Sequence, residues 1–189
     1  MVYRHLILDR DGVLNREPPA RDYVRAPEDF RWLPGALAGL ARLRRAGIRL
    51  SVATNQSGVG RGRMTLEQLE AVHARMLTEA AASSGALDAV FFCPHAPEAG
   101  CACRKPAPGL IQTAIARAGI PAAETLLVGD DERDLEAAAR AGVPAALVRT
   151  GKGRETESRA ESLSVPVYDD LAALAQAIAG SSSPGRPEA

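Results

Sequence analysis

Short apolar runs and helix-period segments take turns along nearly all of this 189-residue chain, and that alternation restricts the fold more than any single motif does. Apolar runs at Tyr3–Leu8, Ile48–Ala53, Ala89–Phe92, Thr125–Val128 and Ala145–Val148 have the length of buried strands, with a shorter one over Val165–Tyr168. Helical patterns lie between them. Pro34–Ala46 carries leucines at 37, 40 and 43 and stops at Gly47. Thr65–Ala82 opens with Thr65 and Gln68 in capping-box spacing. Pro108–Ala118 closes at Gly119 and Pro121, Glu132–Ala141 stops at Gly142, and Asp169–Ala179 forms the last helix. Strands alternating with helices predict an α/β fold: a mostly parallel sheet, right-handed crossovers and helices on both faces. Residues 1–180 read as one domain, and Ser181–Ala189 reads as a disordered tail. The stretch between the second and third strands is too short for an inserted cap domain. Arg10–Leu33, with prolines at 18, 19 and 27, has no regular pattern and is expected to fold over the rim of the sheet.

In an open parallel sheet, ligands bind outside the carboxyl ends of the strands. Asp9, Asp11, Thr54, Asn55 and Asp130 each follow an apolar run, so remote parts of the sequence converge on one rim. Asp9 and Asp11 stand two apart at a strand end, where both face one side. Such a pair suits attack by Asp9 and proton transfer by Asp11, with Gly12 permitting the turn that follows. Alone, the pair is equally readable as metal ligands or a solvated strand end. Thr54 and Asn55 offer a hydroxyl and an amide, and Gln56 and a loop with Gly58, Gly60 and Gly62 follow. Glycines let backbone N–H groups approach an oxyanion; the plainer alternative is a helix-capping threonine and a flexible loop. Arg61 and Arg104 carry planar forks suited to a phosphate or hydroxyls, and Lys105 a compact positive charge. Asp130 is a hard oxygen ligand for Mg²⁺, with Asp134 in support, whereas Asp131 and Glu132 also suit the first turn of a helix.

All three cysteines fall within eleven residues, as Cys93-x-His95 and then Cys101-x-Cys103. Three thiolates and an imidazole can close a tetrahedral zinc shell with no position left for water, which points to structural zinc. Pro94, Pro97 and Gly100 mark the segment as a loop rather than core. A disulfide would leave one cysteine over. The loop runs straight into Arg104-Lys105-Pro106, so a tied backbone delivers two cations to one place.

Lysine plus arginine equals aspartate plus glutamate at 23 each, and aromatic residues are only 4%. That balance argues against nucleic acid or an anionic membrane as partner. No stretch approaches 18 unbroken apolar residues, and the N-terminal run is too short for a signal-peptide core, so a cytoplasmic location is expected. A domain of this size without a cap is expected to be a monomer.

Taken together, D-x-D-G-V-x-N at Asp9–Asn15, T-N-Q-S-G at Thr54–Gly58, R-K-P at Arg104–Pro106 and G-D-x-x-x-D at Gly129–Asp134 resemble the haloacid dehalogenase (HAD) superfamily of phosphatases. The cysteine–histidine cluster narrows the resemblance to its capless branch, which holds heptose-bisphosphate and histidinol-phosphate phosphatases. The resemblance implies a Rossmannoid three-layer sandwich with a zinc-binding loop. It implies Asp9 as nucleophile, Asp11 as general acid and base, and Mg²⁺ held by Asp9, the Asp11 carbonyl and Asp130. It implies Thr54 and Lys105 on the transferring phosphate, with Asn55, Gln56, Arg61 and Arg104 toward the substrate. Ser57–Gly62 and Arg104–Gly109 look like the heptose enzymes, whereas the five-residue gap between His95 and Cys101 looks like the histidinol enzymes. At Asp131 the heptose pattern leads one to expect lysine. On this reading, Asp11 starts protonated so that it can donate to the leaving oxygen. Three rivals remain at this point, of which a zinc-finger-like binding module leaves Asp9, Thr54 and Asp130 unexplained. A polynucleotide 3′-phosphatase would share the fold, and a phosphoacceptor signalling domain would share the strand-end acids but lack a second carboxylate such as Asp11.

Overall fold

A computed structural model describes residues 3–17 and 22–180. The expectation of a disordered tail over Ser181–Ala189 lies outside the described residues, as do Pro18 and Pro19. Six strands form one parallel sheet: β1 (His5–Leu8), β2 (Arg49–Asn55), β3 (Ala89–Cys93), β4 (Thr125–Gly129), β5 (Ala145–Val148) and β6 (Val167–Tyr168). Their order is β3-β2-β1-β4-β5-β6. Chain direction across the sheet reverses between β1 and β4, which pair in register from His5–Thr125 to Leu8–Val128. That reversal opens a crevice at the strands' carboxyl ends. Asp9 leaves β1 and Asp130 leaves β4 on its two sides.

Side-chain alternation then divides the core. Leu6, Leu8, Leu126 and Val128 pack on one face against α1 (Ala36–Arg45), α2 (Leu66–Ala82) and α6 (Leu171–Gly180). Ile7, Ala53 and Leu127 pack on the other against α3 (Gly109–Ala118) and α4 (Glu132–Ala141). Each such fully buried leucine contributes roughly 1.5–3 kcal/mol by leaving water. Helices on both faces make the three-layer sandwich the sequence predicts. The Thr65–Gln68 capping box forms at the start of α2. Between β2 and β3 the chain holds only a turn and α2.

Three features depart from the sequence reading. β2 runs two residues further than its apolar run, so Thr54 and Asn55 are strand residues paired with Phe92 and Cys93. Of the segment Arg10–Leu33, Glu17, Asp22 and Tyr23 line the rim, but Val13, Leu14, Val24 and Phe30 sink into the core, and Pro27–Asp29 forms a 3₁₀ turn. An unforeseen helix, α5 (Gly153–Ser162), follows β5. It buries only Gly153, Thr156 and Ala160, so no apolar stripe announced it. Among the described residues, no helix is long and apolar enough to cross a membrane.

His5 starts β1 fully buried, with Nε2 3.0 Å from Ser51 Oγ and Nδ1 3.4 Å from Thr125 Oγ1. Burial, helped by Arg49 and opposed by Asp88, pushes its pKa down to about 4. A folded-state pKa below that of the unfolded chain means the unfolded state binds the extra proton between about pH 6.5 and 4. Stability is therefore full above pH 6.5 and falls as pH drops toward 4. Urea denaturation of a His5→Gln variant, which keeps a polar contact but no titrating ring, should lose less stability over that interval than the parent; an equal slope would refute the assignment.

Candidate active site

The crevice is built around a buried ammonium. Lys105 is 2% exposed, and its Nζ lies 2.8 Å from the Ala53 carbonyl, 3.0 Å from Asp9 Oδ1 and 2.6 Å from Asp134 Oδ1. A lysine buried alone would lose its proton; these oxygens instead raise its pKa despite desolvation. Asn55 fixes the Lys105 backbone at two points, donating Nδ2–H to its carbonyl at 2.9 Å and accepting its N–H at 3.0 Å. The Lys105–Pro106 peptide is cis.

Asp9, Asp130 and Asp134 each bring a carboxylate oxygen within 4.8 Å of the others. Burial, partly offset by Lys105 and reinforced by Asp134 and Asp11, pushes Asp9 up to about 6. Burial, then Asp9 and Asp134, push Asp130 well up, against one backbone N–H from Lys152 at 2.8 Å. Three close hard-oxygen donors short of positive charge fit Mg²⁺. Two glycines make room for Asp130: a Cβ on Gly12 or on Gly151, both with positive φ, would sit 2.0 Å from its Oδ2.

Asp11 departs from expectation. Its Oδ1 accepts from Arg10 Nε and Nη2 at 3.3 and 3.0 Å and from Asn15 Nδ2 at 2.8 Å. Its Oδ2 accepts from Arg10 Nη2 at 3.0 Å and from Gln56 Nε2 at 2.9 Å. Burial favours the neutral acid, but Arg10 and these donors outweigh it and hold the pKa below the usual range. The sequence reading starts Asp11 protonated, whereas these contacts favour its anion in the free site. Gln56 and Asn55 line the crevice as the sequence reading expects, but their amides are also engaged within the protein. Gln56 Nε2 also donates to Thr54 Oγ1 at 2.9 Å, so both of its N–H groups serve the protein, as Asn55 serves Lys105. Thr54 accepts that bond and keeps its own O–H for the crevice, which it lines.

Arg104 lines the same crevice, and its Nη1 is buried without a partner. Burial, then Arg133 and Arg61 nearby, lower its hold on its proton. Arg61 lies apart, in an adjoining hollow with Tyr23 and Arg63, 3.6 Å from Glu98. Asp131 has its charge absorbed locally: Arg133 binds it at 2.6 and 2.9 Å and Lys152 lies 3.5 Å away. Arg133, Lys152 and Glu17 line the crevice and were missed in the sequence. Lys152 lies beside the unforeseen helix, and Arg133 reads as an ordinary first-turn residue.

Cys93, His95, Cys101 and Cys103 do converge, with neighbouring Sγ and Nδ1 atoms 3.3–3.5 Å apart. A disulfide needs sulfurs about 2.05 Å apart, so that alternative falls. A tetrahedral shell with metal–sulfur bonds of about 2.3 Å has edges near 3.8 Å, which this cluster fits with slight expansion.

Comparison with known proteins agrees with this geometry. A family model described as HAD-hydrolase-like matches residues 102–174. The chain is 44% identical over 172 residues to the D-glycero-beta-D-manno-heptose-1,7-bisphosphate 7-phosphatase of Bordetella bronchiseptica, covering 90% of this chain and 95% of that one. It is 42% identical over 171 residues to the enzyme of the same name from Pseudomonas putida, covering 90% and 97%. The crystal structure of D,D-heptose 1,7-bisphosphate phosphatase from B. bronchiseptica, complexed with magnesium and phosphate, superposes with a TM-score of 0.88 at 42% identity, covering 94% of this chain and 99% of that one. With the fold, the crevice and these relatives in agreement, the chain belongs to the heptose-1,7-bisphosphate 7-phosphatase family of HAD-like hydrolases.

Proposed function

We propose that this chain hydrolyses the 7-phosphate of D-glycero-D-manno-heptose 1,7-bisphosphate within one domain over residues 1–180. The observation that carries the reading is the Asp9–Lys105–Asp134 contact in a crevice of a fold whose 40–44% identical relatives bear that activity. Asp9 is the nucleophile. Its Oδ1 lies against the Lys105 ammonium and its Oδ1 also accepts the Arg10 N–H at 2.7 Å, which fixes the carboxylate plane. A carboxylate nucleophile splits hydrolysis into two easier steps, formation and breakdown of an aspartyl-phosphate.

Asp9, Asp130 and the Asp11 carbonyl would hold Mg²⁺, with Asp134 beside them. When bound, the ion offsets the repulsion between a carboxylate and a phosphate. The Thr54 hydroxyl and Lys105 supply fixed positive dipole and charge beside the transferring group. Asp11 passes a proton to the leaving sugar oxygen and later takes one from water; to donate, it must exchange one of its N–H contacts for a proton. Arg104, with an unpartnered Nη1, and Arg133 face the remaining phosphate, and Arg61 extends that cationic margin. The Cys93, His95, Cys101 and Cys103 cluster binds structural zinc and holds the backbone that delivers Arg104 and Lys105.

Three outcomes test this reading. Asp9→Asn should lower kcat on the order of 10⁴-fold or more while the melting curve stays intact, as loss of a nucleophile does; residual turnover free of deamidation would remove Asp9 from that role. Phosphate release across both heptose bisphosphate anomers, histidinol phosphate, fructose 1,6-bisphosphate and a 3′-phosphorylated oligonucleotide should be fastest with a heptose. Histidinol phosphate, which the short His95–Cys101 gap favours, would overturn the choice by winning. Elemental analysis should find one zinc per chain, and stripping it should lower Tm in a way that Zn²⁺ restores and Mg²⁺ does not. A metal-free protein of undiminished Tm would leave the cluster without a structural role.

A further inference from the structure

Arg10 stands between the two acids of the strand end and reads in the sequence as a spacer. Its side chain is instead 1% exposed. A buried guanidinium is costly unless its N–H groups are met. Nε and Nη2 reach the Asp11 carboxylate at 3.0–3.3 Å, and Nη1 lies 3.2 Å from His73 Nε2. Arginine keeps its proton, so His73 Nε2 is the acceptor and its ring is neutral with the proton on Nδ1. His73 sits on the buried face of α2, 6% exposed, with its ring centroid 5.5 Å from that of Phe92. Helix and ring thus fix one end of the guanidinium plane, and the other end fixes a carboxylate. Asn15 and Gln56 hold the same carboxylate from two further directions. His73 does not line the crevice. An apolar residue would pack as well in its place but would leave Nη1 unmet.

We infer that His73 is a positioning residue for this reaction, acting through the Arg10 guanidinium to set the orientation of the Asp11 carboxylate toward the leaving oxygen. The inference rests on the reading of Asp11 as the proton donor. It makes a prediction that a purely structural role does not. Asp11 matters to formation of the aspartyl-phosphate only when the departing oxygen needs a proton. An alkoxide leaving from a sugar needs one; p-nitrophenoxide does not. The ratio of kcat/KM for the heptose bisphosphate to kcat/KM for p-nitrophenyl phosphate therefore isolates the aim of Asp11, because kcat/KM covers the steps up to that intermediate.

The test compares four variants of the full chain, each checked for a cooperative melt. Asp11→Asn is the reference and should lower the sugar ester's kcat/KM far more than the aryl ester's. His73→Leu should lower the sugar ester's value about 10–100-fold, the scale of an ångström-sized misplacement. It should change the aryl ester's value by less than about threefold and leave KM for the sugar nearly unmoved. His73→Gln keeps a side-chain acceptor for Nη1 and should restore both values to within about threefold of the parent. Arg10→Lys keeps the charge but loses the fork, and should behave like His73→Leu; it carries the test if His73→Leu does not fold. Equal losses on both esters, no loss in His73→Leu, or a His73→Gln variant as impaired as His73→Leu would overturn the inference while Asp11→Asn still separates the esters. Failure of Asp11→Asn to separate them would instead strike the reading of Asp11, and the inference would fall with it.

Discussion

A lysine ammonium with almost no access to water is the constraint from which the rest of this site follows. Left alone, such a group is expelled or neutralised by desolvation. Here the Ala53 carbonyl and the carboxylates of Asp9 and Asp134 surround it at 2.6–3.0 Å. Those three oxygens come from β2, the end of β1 and the first turn of α4. The pairing of β1 with both β2 and β4 brings the ends of β1 and β4 together with β2 alongside. The site is therefore a property of the topology, and the apolar residues that fix the register of β1 between β2 and β4 also fix the distance between the reacting groups.

Holding the lysine in place falls to a backbone with no regular structure. Asn55 clamps the Lys105 peptide from both sides, and the convergent thiols and imidazole lie a few residues earlier in the same loop. Gly109 packs against the Ala102 carbonyl, where a Cβ would come within 2.5 Å, so the start of α3 closes on the loop from below. These contacts convert a loop, normally the mobile part of a domain, into a support stiff enough to carry a charge-bearing side chain. The same logic applies around Asp11, where Arg10, Asn15 and Gln56 each donate to its carboxylate.

Strands and most helices were legible because their cores are apolar in runs or at helical spacing, and burial follows that pattern directly. Asp9, Thr54 and Asp130 were legible because strand ends of a parallel sheet gather at one rim, and Lys105 because the cysteine–histidine loop runs straight into it. What could not be read was pairing. Nothing in Asn55 or Gln56 says that its amide faces a lysine backbone or an aspartate rather than a ligand. Arg10 lies between two motif acids, yet its partner His73 is 63 residues away and looks like any polar residue in a helix. α5 was invisible because its contact face is made of small residues, and Lys152 beside it was lost for the same reason.

Charge balance ties these pieces to the chemistry. Among the described residues, Asp9, Asp11, Asp130 and Asp134 face two buried cations, Arg10 and Lys105. Arg10 is committed to Asp11, so the deficit falls on Asp9 and Asp130, the two carboxyls whose proton affinity burial raises. A divalent ion held by these carboxylates would offset that deficit and favour the ionised form of Asp9. Asp131 does not deepen the deficit, because Arg133 and Lys152 already absorb its charge at the edge of the crevice. A phosphate in the crevice would restore negative charge beside Asp9, and Arg133 and Arg61 already have carboxylate partners in Asp131 and Glu98. Arg104 lines the same crevice with a buried N–H still unmatched.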